Sequence, residues 1–138
     1  MTGPWVTERV RWSDLDIMGI VYFGRYVRFV EAAEAEFFRA LGFSYAHLSD
    51  EFGVWLARVR LEVDYRAPAR LDDEIRCRAV LEKTGGSSLT FAFPMERGGT
   101  RLADGTLVLA CLDRETLRPV RIPQKLRDAI AQASDKTS

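Results

Sequence analysis

The chain has 138 residues, 47% of them apolar and 29% charged, which fits one soluble domain and leaves little room for two. Twenty basic and twenty acidic residues cancel to a formal net charge of zero, without the basic excess of a generic nucleic-acid binder. No run approaches the ~20 apolar residues of a membrane helix. Residues 1–5 also lack a secretory signal's basic start and apolar core, so the expected location is the cytosol, with no membrane insertion.

In chain order, Trp5 to Trp12 alternates as a strand. A polar, glycine-containing stretch follows, from Ser13 to Gly19. Tyr26, Phe29, Val30, Ala33, Phe37 and Leu41 then fall on one helical stripe, with Gly42 where a helix C-terminus favours it. A short helix is expected around Ser44 to Asp50. Period two takes over next: Val59, Leu61, Val63 and Tyr65 form an apolar face opposite Arg58, Arg60, Glu62, Asp64 and Arg66. Ile75, Cys77, Ala79 and Leu81 define a third strand, and Leu89, Phe91, Phe93 and Met95 a fourth. Gly85-Gly86 and Gly98-Gly99 supply turns. The continuously apolar run from Leu107 to Leu112 predicts a strand covered on both faces. Pro123 to Ala131 predicts a short helix, with a disordered tail over residues 133–138. Strands joined by tight turns pair antiparallel, and one long apolar helix against them is an α+β layout. There is no internal repeat or linker, so residues 1–138 are expected to form a single domain with its core at about 5–131.

Several chemistries are starved. The sequence lacks the glycine-rich phosphate loops and the serine elbow of the common nucleotide-binding and hydrolase motifs. His47 is the single histidine, so a multi-histidine zinc site within one chain is excluded, and no metal is expected. Cys77 and Cys111 lie in separate apolar runs and read as buried, reduced thiols. Chemistry must therefore run on carboxylates, backbone groups and water.

The stretch that offers it runs from Trp12 to Tyr26. Asp14 and Asp16 stand just before the long helix, whose N-terminus carries unpaired N–H groups and a partial positive charge. Such N–H groups can hold a developing oxyanion, while a carboxylate attacks a carbonyl or draws a proton from water. The same pair also fits plain turn and helix capping, and an Asp-x-Asp alone does not decide between the two.

Asp14-x-Asp16-x-x-Gly19-Ile-Val-Tyr22-Phe23-x-x-Tyr26, followed by Phe29-Val-Glu31, resembles the hot-dog thioesterases of the 4-hydroxybenzoyl-CoA type. The block from Val63 to Asp73, with Ala67-Pro68-Ala69-Arg70-Leu71-Asp72, is similar to their acyl-CoA thioesterase branch associated with the Tol–Pal envelope system. The resemblance covers about Glu8 to Ala129. It implies a five-stranded antiparallel sheet wrapped around one long helix. It implies an acyl-CoA substrate, no cofactor, and a homodimer joined through the strand at Val59 to Tyr65, or a tetramer of two such dimers, with the active site at the dimer interface. It implies Asp16 as catalytic carboxylate and the Phe23 backbone N–H as oxyanion donor. Gly19, Tyr22 and Tyr26 within the motif, Arg66 beside the proline turn and Lys83 near Gly85-Gly86 are the substrate-binding candidates, and Glu31 on the helix is the second-choice carboxylate.

The chain departs from the Tol–Pal branch at Phe23, where a histidine is frequent. It departs from the 4-hydroxybenzoyl enzyme at Gly85-Gly86, where a basic pair helps bind CoA phosphates. Arg114, Arg118, Arg121, Lys125 and Arg127 form a basic stretch that reads as phosphate-attracting or as a solvated face, and Arg70 is a similar candidate. Glu34 and Glu36 are expected to face solvent or be paired, and Asp72-Asp73 to shape a turn. Hydrolysis of an acyl-ACP, a dehydratase, and a non-catalytic acyl-CoA-binding scaffold at the envelope are the alternative functions.

Overall fold

The computed structural model describes the backbone of residues 1–137 and the side chains of residues 1–134. Six strands form one antiparallel sheet: β1 (Val6–Arg9), β2 (Val54–Tyr65), β3 (Glu74–Cys77), β4 (Val80–Thr84), β5 (Ser88–Arg97) and β6 (Thr100–Asp113). The order across the sheet is β1-β3-β5-β6-β2, with β4 also paired to β5. Three helices complete the fold: α1 (Tyr26–Leu41), α2 (Tyr45–Phe52) and α3 (Gln124–Thr137).

The expected five strands become six because the third is cut at Arg78-Ala79. Cys77 pairs with Met95 and Val80 with Ala92, so the cut falls opposite Pro94, which has no N–H to offer the ladder. On the other side, the Ala79 carbonyl accepts from the Gly3 N–H at 2.7 Å, and Leu81 donates to the Met1 carbonyl at 2.8 Å. The chain start thus extends the β1 edge past the cut.

The apolar stripe of α1 buries Tyr26, Phe29, Val30, Ala33, Phe37 and Phe38 against the sheet. Phe91 meets it from β5, with its ring centroid 4.9 Å from that of Phe37 in an edge-on contact. Gly42 ends the helix at φ 83°, a left-handed conformation that favours glycine. Ser44 caps α2 by accepting from the His47 N–H.

Three other expectations are corrected. In β2 the pairing slips between Arg58 and Arg60, leaving Val59 as the extra residue of a bulge. The bulge reverses the alternation, so Arg58, paired with buried Leu109, shares the helix-facing side with Leu61, Val63 and Tyr65, while Val59 is exposed. In the Leu107-to-Leu112 run of β6, Leu107, Leu109 and Cys111 are fully buried, whereas Val108, Ala110 and Leu112 are half-covered, so one face of that run remains partly open. On α1, Glu31 is exposed, while Glu34 is fully buried and paired with Arg58, the second of its two expected settings. Finally, α3 continues past Ala131 to Thr137, because residues 131–137 contain neither proline nor glycine to stop it. The tail expected to be disordered is therefore helical as far as Thr137, and Ser138 lies outside the described residues.

Candidate active site

Between β1 and α1 the chain forms a small hairpin. Leu15 bridges Val21, and Asp16 donates its N–H to the Ile20 carbonyl at 2.9 Å. Gly19 turns the apex at φ 76° and donates to the Asp16 carbonyl at 3.0 Å. A Cβ at Gly19 would meet nothing within 4 Å, so the glycine is needed for its backbone angle and not for close approach to a neighbour. Ile20 bridges Arg70, and Val21 donates to the Ala69 carbonyl at 2.8 Å, which ties the hairpin to the segment after β2.

The two aspartates have different surroundings. Asp14 is 1% exposed. Its carboxylate accepts from Arg28 Nη2 at 2.7 Å, Arg28 Nε at 3.3 Å and the Arg11 N–H at 2.8 Å. Burial pushes its carboxyl up, but the Arg28 and Arg11 hydrogen bonds and the nearby guanidinium charges outweigh this and hold it below the usual aspartate value. Asp16 is half-buried, and Oδ1 accepts from the Met18 N–H at 2.8 Å. Its other oxygen has no hydrogen-bond partner among the described residues.

That carboxylate borders a cavity of about 440 Å³ whose wall is mostly apolar. Phe23, Tyr26, Tyr65 and Arg66 line it with Asp16, alongside apolar positions of the hairpin and of the Ala67-Pro68 turn. Phe23 opens a short 3-10 turn, Phe23–Arg25, that runs directly into α1. Among the described residues, neither the Phe23 nor the Gly24 N–H has a backbone acceptor, as expected of the first donors of a helical segment. Asp16, Phe23, Tyr26 and Arg66 thus meet in one place. A carbonyl held there would have the Asp16 carboxylate on the wall and the start of the helical segment at Phe23 beside it.

The other candidates lie elsewhere. Gly19 is at the hairpin apex. Tyr22 is partly exposed, with its ring on Phe23 at 4.7 Å and across the face of Gly24. Lys83 is exposed on β4. Glu31 borders a separate surface depression with Arg11, Arg28 and Arg58. Arg66 also binds Asp104, at 2.6 Å. Most of the basic stretch is occupied structurally: Arg114 donates to the Ser49 carbonyl, Arg127 to the Gly85 carbonyl, and Lys125 pairs with Glu51. Asp73 does shape a turn, accepting from the Arg70 N–H at 2.9 Å and Arg97 at 2.7 Å. His47 pairs with Glu51 away from the cavity, and burial pushes the Cys77 thiol up to about 12. Tyr65 went unnoticed in the sequence because it read as one more apolar position of an alternating strand, although it lies inside the Val63-to-Asp73 block.

A family profile described as the thioesterase-like superfamily matches residues 10–130. The chain belongs to this superfamily. It is 31% identical over 121 residues to the acyl-CoA thioesterase YbgC of Haemophilus influenzae, covering 88% of this chain and 89% of that one. It is 32% identical over 119 residues to the acyl-CoA thioester hydrolase YbgC of Escherichia coli, covering 86% and 88%. Among solved structures, a hypothetical protein from Thermus thermophilus superposes with a TM-score of 0.86 at 30% identity, covering 93% of this chain and 97% of that one. A DHNA-CoA thioesterase from Staphylococcus aureus superposes at 0.87 over 97% and 91%, with 21% identity, a likeness of fold. The superfamily's hot-dog layout is the architecture seen here, with the third strand divided. Among the described residues no helix is long and apolar enough to cross a membrane, and no cluster of three or more metal-ligating side chains forms.

Proposed function

We propose that this superfamily member hydrolyses acyl-CoA thioesters to a free acid and CoA. The observation that carries the reading is the Asp16 carboxylate, with one oxygen uncommitted, on the rim of an apolar cavity that Phe23 also lines. Asp16 either adds to the thioester carbonyl, expelling CoA and leaving a mixed anhydride that water then opens to the free acid, or draws a proton from the water that attacks the carbonyl. The unpaired N–H groups at the entry to α1 stabilise the oxyanion, and CoA leaves as the thiol. The apolar wall, with Tyr26 and Tyr65, receives the acyl group, and Arg66 at the mouth offers a charge to the nucleotide. The curated relatives named as acyl-CoA thioesterases support the same substrate class.

The working unit in this proposal is a homodimer. β2 is the last strand of the sheet, its outer edge carries no partner strand among the described residues, and Val59, Leu61 and Tyr65 are exposed along it. Joining two copies there covers these side chains and sets each cavity beside the partner chain.

Thiol release from acetyl-, hexanoyl-, palmitoyl- and benzoyl-CoA, beside the same acyl groups on ACP, tests the function. Turnover of at least one CoA thioester is expected. Turnover confined to ACP thioesters would move the chain to the ACP alternative, and tight acyl-CoA binding with no thiol release would make it a scaffold.

A further inference from the structure

We propose that Tyr65 is a positioning residue for the hydrolysis, its hydroxyl anchoring the peptide turn that presents the oxyanion donors to the substrate carbonyl. This rests on the reading above. Tyr65 closes β2 in register with Ala103 of β6, so its backbone belongs to the sheet. Its ring meets Tyr26 edge-on at 5.0 Å, and its hydroxyl donates to the Phe23 carbonyl at 2.8 Å. One side chain of the sheet therefore holds the entry to the helix.

The turn has few other restraints. It spans three residues and lacks a side-chain cap. The Phe23 ring is mostly exposed and packs on Tyr22, which is itself partly exposed, so the core does not grip Phe23 by its side chain. Upstream, the Tyr22 N–H is held by the Asp14 carbonyl at 2.8 Å. Downstream, the Phe23 carbonyl accepts from the Tyr26 N–H. Among the described residues, Tyr65 is the one strand side chain that hydrogen-bonds this turn. The bond has a second consequence. The Phe23 carbonyl and the Gly24 N–H are the two ends of one peptide group. A donor on the carbonyl polarises that group and makes its N–H a stronger donor in turn. An anchor of this kind acts where charge develops, so its loss falls on kcat more than on KM.

Tyr65→Phe keeps the ring against Tyr26 and removes only the hydroxyl. With the CoA thioester that the wild type turns over fastest, kcat is expected to fall about tenfold, with KM changed less than about twofold. A spectroscopic readout separates positioning from general loosening. Benzoyl-CoA carrying a ¹³C carbonyl is bound to Asp16→Asn and to Asp16→Asn with Tyr65→Phe. The infrared carbonyl stretch is expected to lie below its free-solution frequency in the first protein and to move back towards it in the second. A wild-type kcat in Tyr65→Phe, or an unmoved carbonyl stretch, overturns the assignment of Tyr65 and leaves thioester hydrolysis standing. A wild type that turns over no thioester overturns both.

Discussion

At the residue scale, one motif holds two aspartates with opposite work. Asp14 is sealed against Arg28 and braces the hairpin; Asp16, two positions on, reaches the cavity. The sequence shows the pair and its place before the helix. It does not show the division, because the residue that separates them is Arg28, a turn into α1 and beyond the reach of any local pattern. Asp14→Asn leaves a buried site with a weakened ion pair and is expected to cost about 3 kcal/mol of unfolding free energy. Since the folded-state pKa of Asp14 lies below its ordinary 3.8, its contribution is complete above that ordinary value and is lost as pH falls through the lower, folded one. Urea unfolding at a series of acidic pH values checks both points. The wild type should lose stability across this window, and the variant should lose less.

At the scale of elements, α1 was legible almost to the residue, because its stripe, its terminal Gly42 and its length all agree. The strands were legible as period-two runs but not in their interruptions. Pro94 stands in the sequence as the visible sign of the divided third strand, and its effect depends on the strand it pairs with. The Val59 bulge left no such sign, since Val59 continues the alternation perfectly and only the pairing with β6 displaces it. Its consequence is chemical. Arg58 turns towards α1 and donates to the buried Glu34 at 2.7 Å and 3.1 Å, while the Tyr45 hydroxyl binds the same carboxylate. Burial comes first and the Glu34 charge second in driving the Tyr45 phenol far above its ordinary value. This cluster fastens α1, α2 and β2 together. Glu34→Ala is expected to destabilise the fold by about 2 kcal/mol, whereas Glu31→Ala, three residues away and exposed, should change it by less than about 0.5 kcal/mol. Paired urea titrations measure the contrast.

At the scale of the whole molecule, the family was legible in two blocks of sequence that the fold brings together: the hairpin before α1 and the turn after β2 clasp one cavity through Val21 and Ala69. The Asp-x-Asp pair alone is ambiguous; the two blocks together are specific for the family. The open edge of β2 extends the account beyond one chain. Leu61→Arg places a charge in the proposed dimer interface and is expected to shift light scattering from a dimer to a monomer mass and to depress thioesterase activity with it. The proposed hydrolysis requires Asp16, and one measurement tests that directly. Asp16→Asn keeps an oxygen for the Met18 N–H and removes the charge, so it should fold as the wild type does. In a thiol-release assay with the fastest CoA thioester its kcat is expected to drop at least about a hundredfold; a kcat equal to that of the wild type in a normally folded variant would contradict the mechanism.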